Sequence, residues 1–120
     1  MADLSAETKN DLMEFQTLQQ QLQMLAMQKQ QFAIQSAELI KAGEEVENAN
    51  GALYRFSGSV IVQKDKSSLK SDLQKEKESI ELRLGTLTKQ EEKLKEKFLS
   101  LKKKLESAFK TGGERGSKLS

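Results

Sequence analysis

The strongest constraint in this sequence is a seven-residue apolar repeat that occurs twice, with a different texture between its two runs. In the first 50 residues, Leu18, Leu25, Phe32, Leu39 and Val46 stand seven apart. The partner position holds Phe15 and Leu22, then fails at Lys29, Ser36 and Gly43. The second run is cleaner: Leu73, Ile80, Leu87, Leu94, Leu101 and Ala108 form an unbroken series. Lys77, Leu84, Glu91, Phe98 and Leu105 occupy its second seam position. Apolar residues at alternating three- and four-residue spacing make the stripe that a partner helix buries. Half of the chain is Ala, Glu, Lys, Arg and Leu, which suits long paired helices and leaves little for a thick core. Proline is absent, so nothing imposes the roughly 3 kcal/mol break of an interior proline.

Leu53-Tyr54-Arg55-Phe56-Ser57-Gly58-Ser59-Val60-Ile61-Val62, between the runs, holds the only tyrosine and two of the three valines. Aromatic and β-branched residues around Ser-Gly predict two short strands joined by a tight turn. Asn48, Asn50 and Gly51 punctuate the exit from the first helix. Asp65 is placed to cap the second helix, with Ser67 and Ser68 as rivals. The expected fold is mainly α: a long antiparallel coiled-coil helical hairpin with a short β-hairpin between the helices. Its helices span about 4–47 and 66–110 and the hairpin about 53–63. Residues 1–110 form a single unit, and 111–120, rich in glycine, are expected to be a flexible tail. Gly85, inside the second helix, costs up to about 1 kcal/mol relative to alanine and has no evident reason in the sequence.

Charge selects how the helices pair. Residues 1–50 carry 3 basic and 8 acidic residues, net −5, and residues 65–120 carry 15 and 10, net +5. Opposite charge on helices of similar length favours their mutual pairing. About 40 residues per helix give an expected arm of about 60 Å. Antiparallel registry then pairs residues whose numbers sum to roughly 116, so Leu22 meets Leu94, Leu18 meets Phe98 and Phe15 meets Leu101. The free end gathers Leu4, Leu12, Met13 and Phe15 with Phe98, Leu99, Leu101, Leu105 and Phe109. Met13 and Leu99 fall off the seam. Seam residues are by default core, and adaptable methionine suits contact with varied partners. A lone two-stranded hairpin is marginal in water, so this one implies partners from other chains.

Several chemistries lack their residues. There is no Cys or His, hence no Cys/His metal site, no catalytic thiol, no imidazole base and no disulfide. Neither G-x-x-x-x-G-K-[ST] nor G-x-G-x-x-G occurs. Carboxylates and lysines such as Glu91-Glu92-Lys93 sit at exposed helical spacing, where they make i,i+4 pairs. No cofactor or metal is expected, and no enzyme activity. No apolar run of about 18 residues occurs and the start lacks the form of a signal peptide, so no membrane role and a cytoplasmic place are expected. The C-terminal Ser-Lys-Leu-Ser differs from a peroxisomal address by its last residue. Lys102, Lys103, Lys104, Lys110, Arg115 and Lys118 make a basic end. Interleaved acids and few stacking aromatics argue against nucleic acid as its partner.

The segment Leu53 to Val62, the following Lys64-Asp65, Leu82-Arg83-Leu84, Lys89-Gln90-Glu91-Glu92-Lys93-Leu94 and the glutamine-rich Gln19–Gln31 together resemble the β-type subunits of archaeal prefoldin over residues 5–109. Gly85 and Phe56-Ser57 depart from the family's usual residues. The resemblance implies a heterohexamer of two α-type and four β-type subunits, with this chain contacting α-type subunits and further copies of itself. It implies a double β-barrel platform of hairpins, and capture of unfolded client proteins between arm tips without ATP. It further implies that the clients pass to a group II chaperonin. Client contact is then expected at Leu12, Met13, Phe15, Leu18, Phe98, Leu99, Leu101, Leu105 and Phe109. Assembly is expected at Leu53, Tyr54, Phe56, Val60, Ile61 and Val62. The alternative is a structural coiled-coil adaptor for one defined protein partner.

Overall fold

The computed structural model of the chain describes the backbone of residues 4–119 and the side chains of residues 4–110. Four elements follow one another: α1 (Ala6–Asn48), β1 (Leu53–Ser57), β2 (Val60–Lys64) and α2 (Lys66–Leu119). The expected order of helix, hairpin and helix is what forms. The chain divides into two compact units, one of residues 1–27 with 88–120 and one of residues 28–87.

Both helices start on side-chain caps, which supply oxygen to the N–H groups that a helix leaves unpaired. Ser5 Oγ accepts from the Thr8 N–H at 3.0 Å. Asp65 Oδ2 accepts from the Ser68 N–H at 3.2 Å and from the hydroxyls of Ser67 and Ser68 at 3.0 and 3.1 Å. The two serines are therefore donors to the cap rather than caps themselves. At the other end of α1, Lys66 Nζ donates to the carbonyl oxygens of Glu47 at 2.8 Å and Ala49 at 3.4 Å. A cation there satisfies unpaired carbonyls and opposes the negative end of the helix dipole.

The far boundary of α2 differs from the expected end near residue 110, since the helix continues to Leu119. Gly112, Gly113 and Gly116 each lower helix propensity by about 1 kcal/mol, yet none removes a backbone donor as proline would. The expected tail's side chains, 111–120, lie outside the described residues, as does the backbone of Ser120.

In the unit of residues 1–27 and 88–120, Leu18, Leu101 and Leu105 are buried against one another, with Leu12, Phe15, Leu94 and Phe98 packed around them. The Phe15 and Phe98 rings stack with centroids 4.6 Å apart and planes 19° apart. In the unit of residues 28–87, Val46, Leu69 and Leu73 form the core, flanked by Leu39, Ala42 and Leu53. Each core joins α1 to α2 in antiparallel register, because residues early in one helix meet residues late in the other. The register stays close to the expected sum of 116, with Lys104 on Asp11 and Arg83 over Phe32, while Phe15 packs against the Leu18–Leu101–Leu105 core and also stacks on Phe98.

Candidate binding surfaces

The hairpin is built by a two-residue turn. β1 and β2 pair antiparallel with Leu53 opposite Lys64, Phe56 opposite Ile61 and Ser57 opposite Val60. That leaves Gly58 and Ser59 as the loop. Gly58 has φ +63° and no other residue has a positive φ among those described, which matches a type II′ turn with glycine first. Directly paired residues share a face and successive ones alternate. Tyr54, Phe56, Ile61 and Gln63 therefore line one face, and Leu53, Arg55, Val62 and Lys64 line the other.

The second face is tied to the helices of its own unit. Leu53 packs on the Val46–Leu69–Leu73 core, Arg55 pairs with Glu76, and Lys64 lies 3.6 Å from Asp72. The Lys70 ammonium pairs with Glu47; its hydrogen bond and charge hold the Glu47 carboxyl below the usual carboxylate range. A groove of about 760 Å³ beside the hairpin is lined by Leu39, Val46, Leu53, Tyr54, Leu73 and Ile80, among others. Arg83 stands over the Phe32 ring, 5.9 Å from its centroid.

The first face is uncovered: Phe56 is 77% exposed, and Tyr54 and Ile61 are also exposed, as are Val60 and Val62 towards the turn end of the second face. Of the six residues expected at an assembly contact, five lie on the surface and Leu53 alone is taken up by the chain's own packing. A two-stranded sheet has two open edges, and an isolated one is marginal in water.

In the unit of residues 1–27 and 88–120, the nine expected client-contact residues separate by burial. Leu18, Leu101 and Leu105 are buried in the seam, and Leu12, Phe15 and Phe98 are half-buried against it. Met13, Leu99 and Phe109 are exposed. The seam residues thus hold the helices together, and the off-seam residues form the available apolar surface. Lys104 fixes the pairing by reaching Glu7 at 2.7 Å and Asp11 at 3.0 Å. Its hydrogen bond to Glu7, then that to Asp11, raises the lysine above its ordinary value. Lys66 and Lys104 carry roles that the sequence reading did not assign; for Lys104 the −5 and +5 halves were the available signal.

Among the described residues, no helix is long and apolar enough to cross a membrane.

Comparison with known proteins agrees with this architecture. Residues 9–112 match the family described as prefoldin subunit. The chain is 33% identical to the prefoldin subunit beta of Methanococcoides burtonii, covering 94% of this chain and 98% of that protein. It is also 33% identical to the prefoldin subunit beta of Thermococcus onnurineus, covering 92% and 97%. The crystal structure of the prefoldin beta subunit from Thermococcus strain KS-1 superposes with a TM-score of 0.82 at 32% identity, over 90% of this chain and 96% of that one.

Proposed function

The chain belongs to the prefoldin subunit family, and from that premise we propose that it works as an ATP-independent holdase. It captures unfolded proteins and passes them to a group II chaperonin. As a prefoldin subunit it assembles with other prefoldin subunits. The uncovered apolar face of Tyr54, Phe56 and Ile61 supports the hairpin as the assembly surface. Two α-type and four β-type subunits, including further copies of this chain, are the proposed composition, and the cytoplasm is the proposed place.

The observation that carries client capture is the exposure of Met13, Leu99 and Phe109 beside a seam that is already complete without them. Exposed apolar side chains of different shape, one of them a flexible thioether, accept varied apolar segments. Half-buried Leu12, Phe15 and Phe98 extend that surface. Leu18, Leu101 and Leu105 support it from beneath. Each contact is weak, and several subunits in one assembly multiply the effective affinity. Basic residues Lys102, Lys103 and Lys110 are proposed to face an acidic surface of the chaperonin.

The test is aggregation suppression of a chemically unfolded, unrelated protein by the assembled complex. The Met13→Ser, Leu99→Ser, Phe109→Ser variant is expected to assemble to the same native mass and to lose most of the suppression. Full suppression by a complex carrying the variant refutes the contact surface. Chaperonin binding that is unchanged between low and high salt refutes the electrostatic handover.

A further inference from the structure

The outer side of α1 carries three methionines that the seam does not use. Met13, Met24 and Met27 are 66%, 62% and 64% exposed. At about 100° per residue they fall within about 60° of one another around the helix, on the side away from the buried Leu18. They span roughly 21 Å of helix axis. All three belong to the unit of residues 1–27 and 88–120. The stretch between Glu14 and Lys29 holds no ionic residue, and glutamine fills much of it. On that stretch the methionines are the main apolar features of the outer face. The chain has no cysteine, so thioethers are its only sulfur.

We propose that Met13, Met24 and Met27 form an oxidation site, at which a hydroperoxide converts the strip to methionine sulfoxide and thereby lowers capture of unfolded proteins. The inference rests on the holdase reading for its consequence but not for its chemistry. A sulfur lone pair attacks one peroxide oxygen, the O–O bond breaks and an S–O bond forms. Sulfur loses two electrons, and the departing oxygen takes up a proton and leaves as an alcohol, or as water when the oxidant is hydrogen peroxide. Each side chain changes from a flexible apolar arm to a polar S=O group. Three such changes, two of them on the uncharged stretch between Glu14 and Lys29, replace the apolar character of the strip. The seam of Leu18, Leu101 and Leu105 stays intact because no methionine belongs to it.

Hydrogen peroxide is the probe, applied to the assembled complex. Peptide mapping by mass spectrometry is expected to place one added oxygen on each of Met13, Met24 and Met27. Aggregation suppression is expected to fall at least threefold with helix content unchanged, and methionine sulfoxide reductases with a thiol reductant restore it. The Met24→Leu, Met27→Leu variant, which leaves Met13 in place, is expected to suppress aggregation as well as the unaltered complex before peroxide and to lose less than half as much of it afterwards. Three unmodified methionines under conditions that oxidise free methionine overturn the proposal. So does full oxidation with unchanged capture, or a loss of helix content that accounts for the lost capture. Untreated complex that fails to suppress aggregation refutes the holdase reading instead, and the peptide map still decides the chemistry.

Discussion

Leu101 and Leu99 lie two residues apart on α2, and truncating each to alanine separates holding the helices together from contacting another protein. Leu101 is 9% exposed and Leu99 is 55% exposed. Either change removes three carbon atoms, worth about 0.8 kcal/mol each when fully buried. Leu101→Ala therefore costs about 2 kcal/mol. A two-helix seam is open along both sides, so the residual cavity closes or fills with water and adds little to that figure. Leu99→Ala costs about 1 kcal/mol at most, offset in part by alanine's better helix propensity. The assay is hydrogen exchange of the α1 and α2 amides in the unit of residues 1–27 and 88–120, within the assembled complex. A 2 kcal/mol loss accelerates exchange by local opening roughly 30-fold. Leu99→Ala is expected to change exchange less than about fivefold while reducing aggregation suppression. Equal protection loss in both variants refutes the division into seam and surface. Impaired capture in Leu101→Ala with unaltered exchange refutes it as well, because a buried residue would then be acting as a direct contact.

Three further outcomes follow from local geometry. Gly85→Ala is expected to raise the stability of α2 by up to about 1 kcal/mol, since an added Cβ meets nothing within 4 Å, and thermal unfolding of the complex reads it. Gly58→Ala is expected to cost about 1–3 kcal/mol, because φ +63° strains any L side chain although the space around it is open; native mass spectrometry should show weaker assembly. The hydrogen bonds of the Ser67 hydroxyl, the Ser68 N–H and the Ser68 hydroxyl lower the Asp65 pKa from 3.8. A depressed carboxyl contributes its stability above the unfolded value and loses it as pH falls through the folded value. Asp65→Asn should therefore flatten the acid side of the unfolding curve below about pH 4 and leave the alkaline side unchanged.

The heptads made the helices and their buried faces legible, because which side of a helix is apolar depends only on spacing along one chain. Leu18, Leu101, Val46 and Leu73 are buried as that spacing requires. The axial offset between helices was legible to within a residue or two, as Lys104 on Asp11 and Arg83 over Phe32 show. Which way the Phe15 ring leans along the seam, onto Phe98, depends on side-chain torsions that spacing does not set. The Ser-Gly turn was readable from composition, whereas its glycine-first geometry follows from the backbone angles. The candidate surface was readable only as a pool of nine residues. Separating them into Leu18, Leu101 and Leu105 beneath and Met13, Leu99 and Phe109 above required burial. The role of Lys66 was hidden because its acceptors are backbone carbonyls 17 and 19 residues away, which leave no mark in side-chain pattern.

That lysine has a mechanical consequence. Lys66 is the first residue of α2, yet it grips the Glu47 carbonyl in the last turn of α1 and the Ala49 carbonyl just beyond it. Arg55 and Lys64, from the strands, grip Glu76 and Asp72 on α2. A pull on the hairpin through β2 therefore loads the start of α2 first, and Lys66 passes part of that load to the end of α1. The helix ends give way together instead of fraying one at a time, so tension on the hairpin is shared between both helices where they leave it.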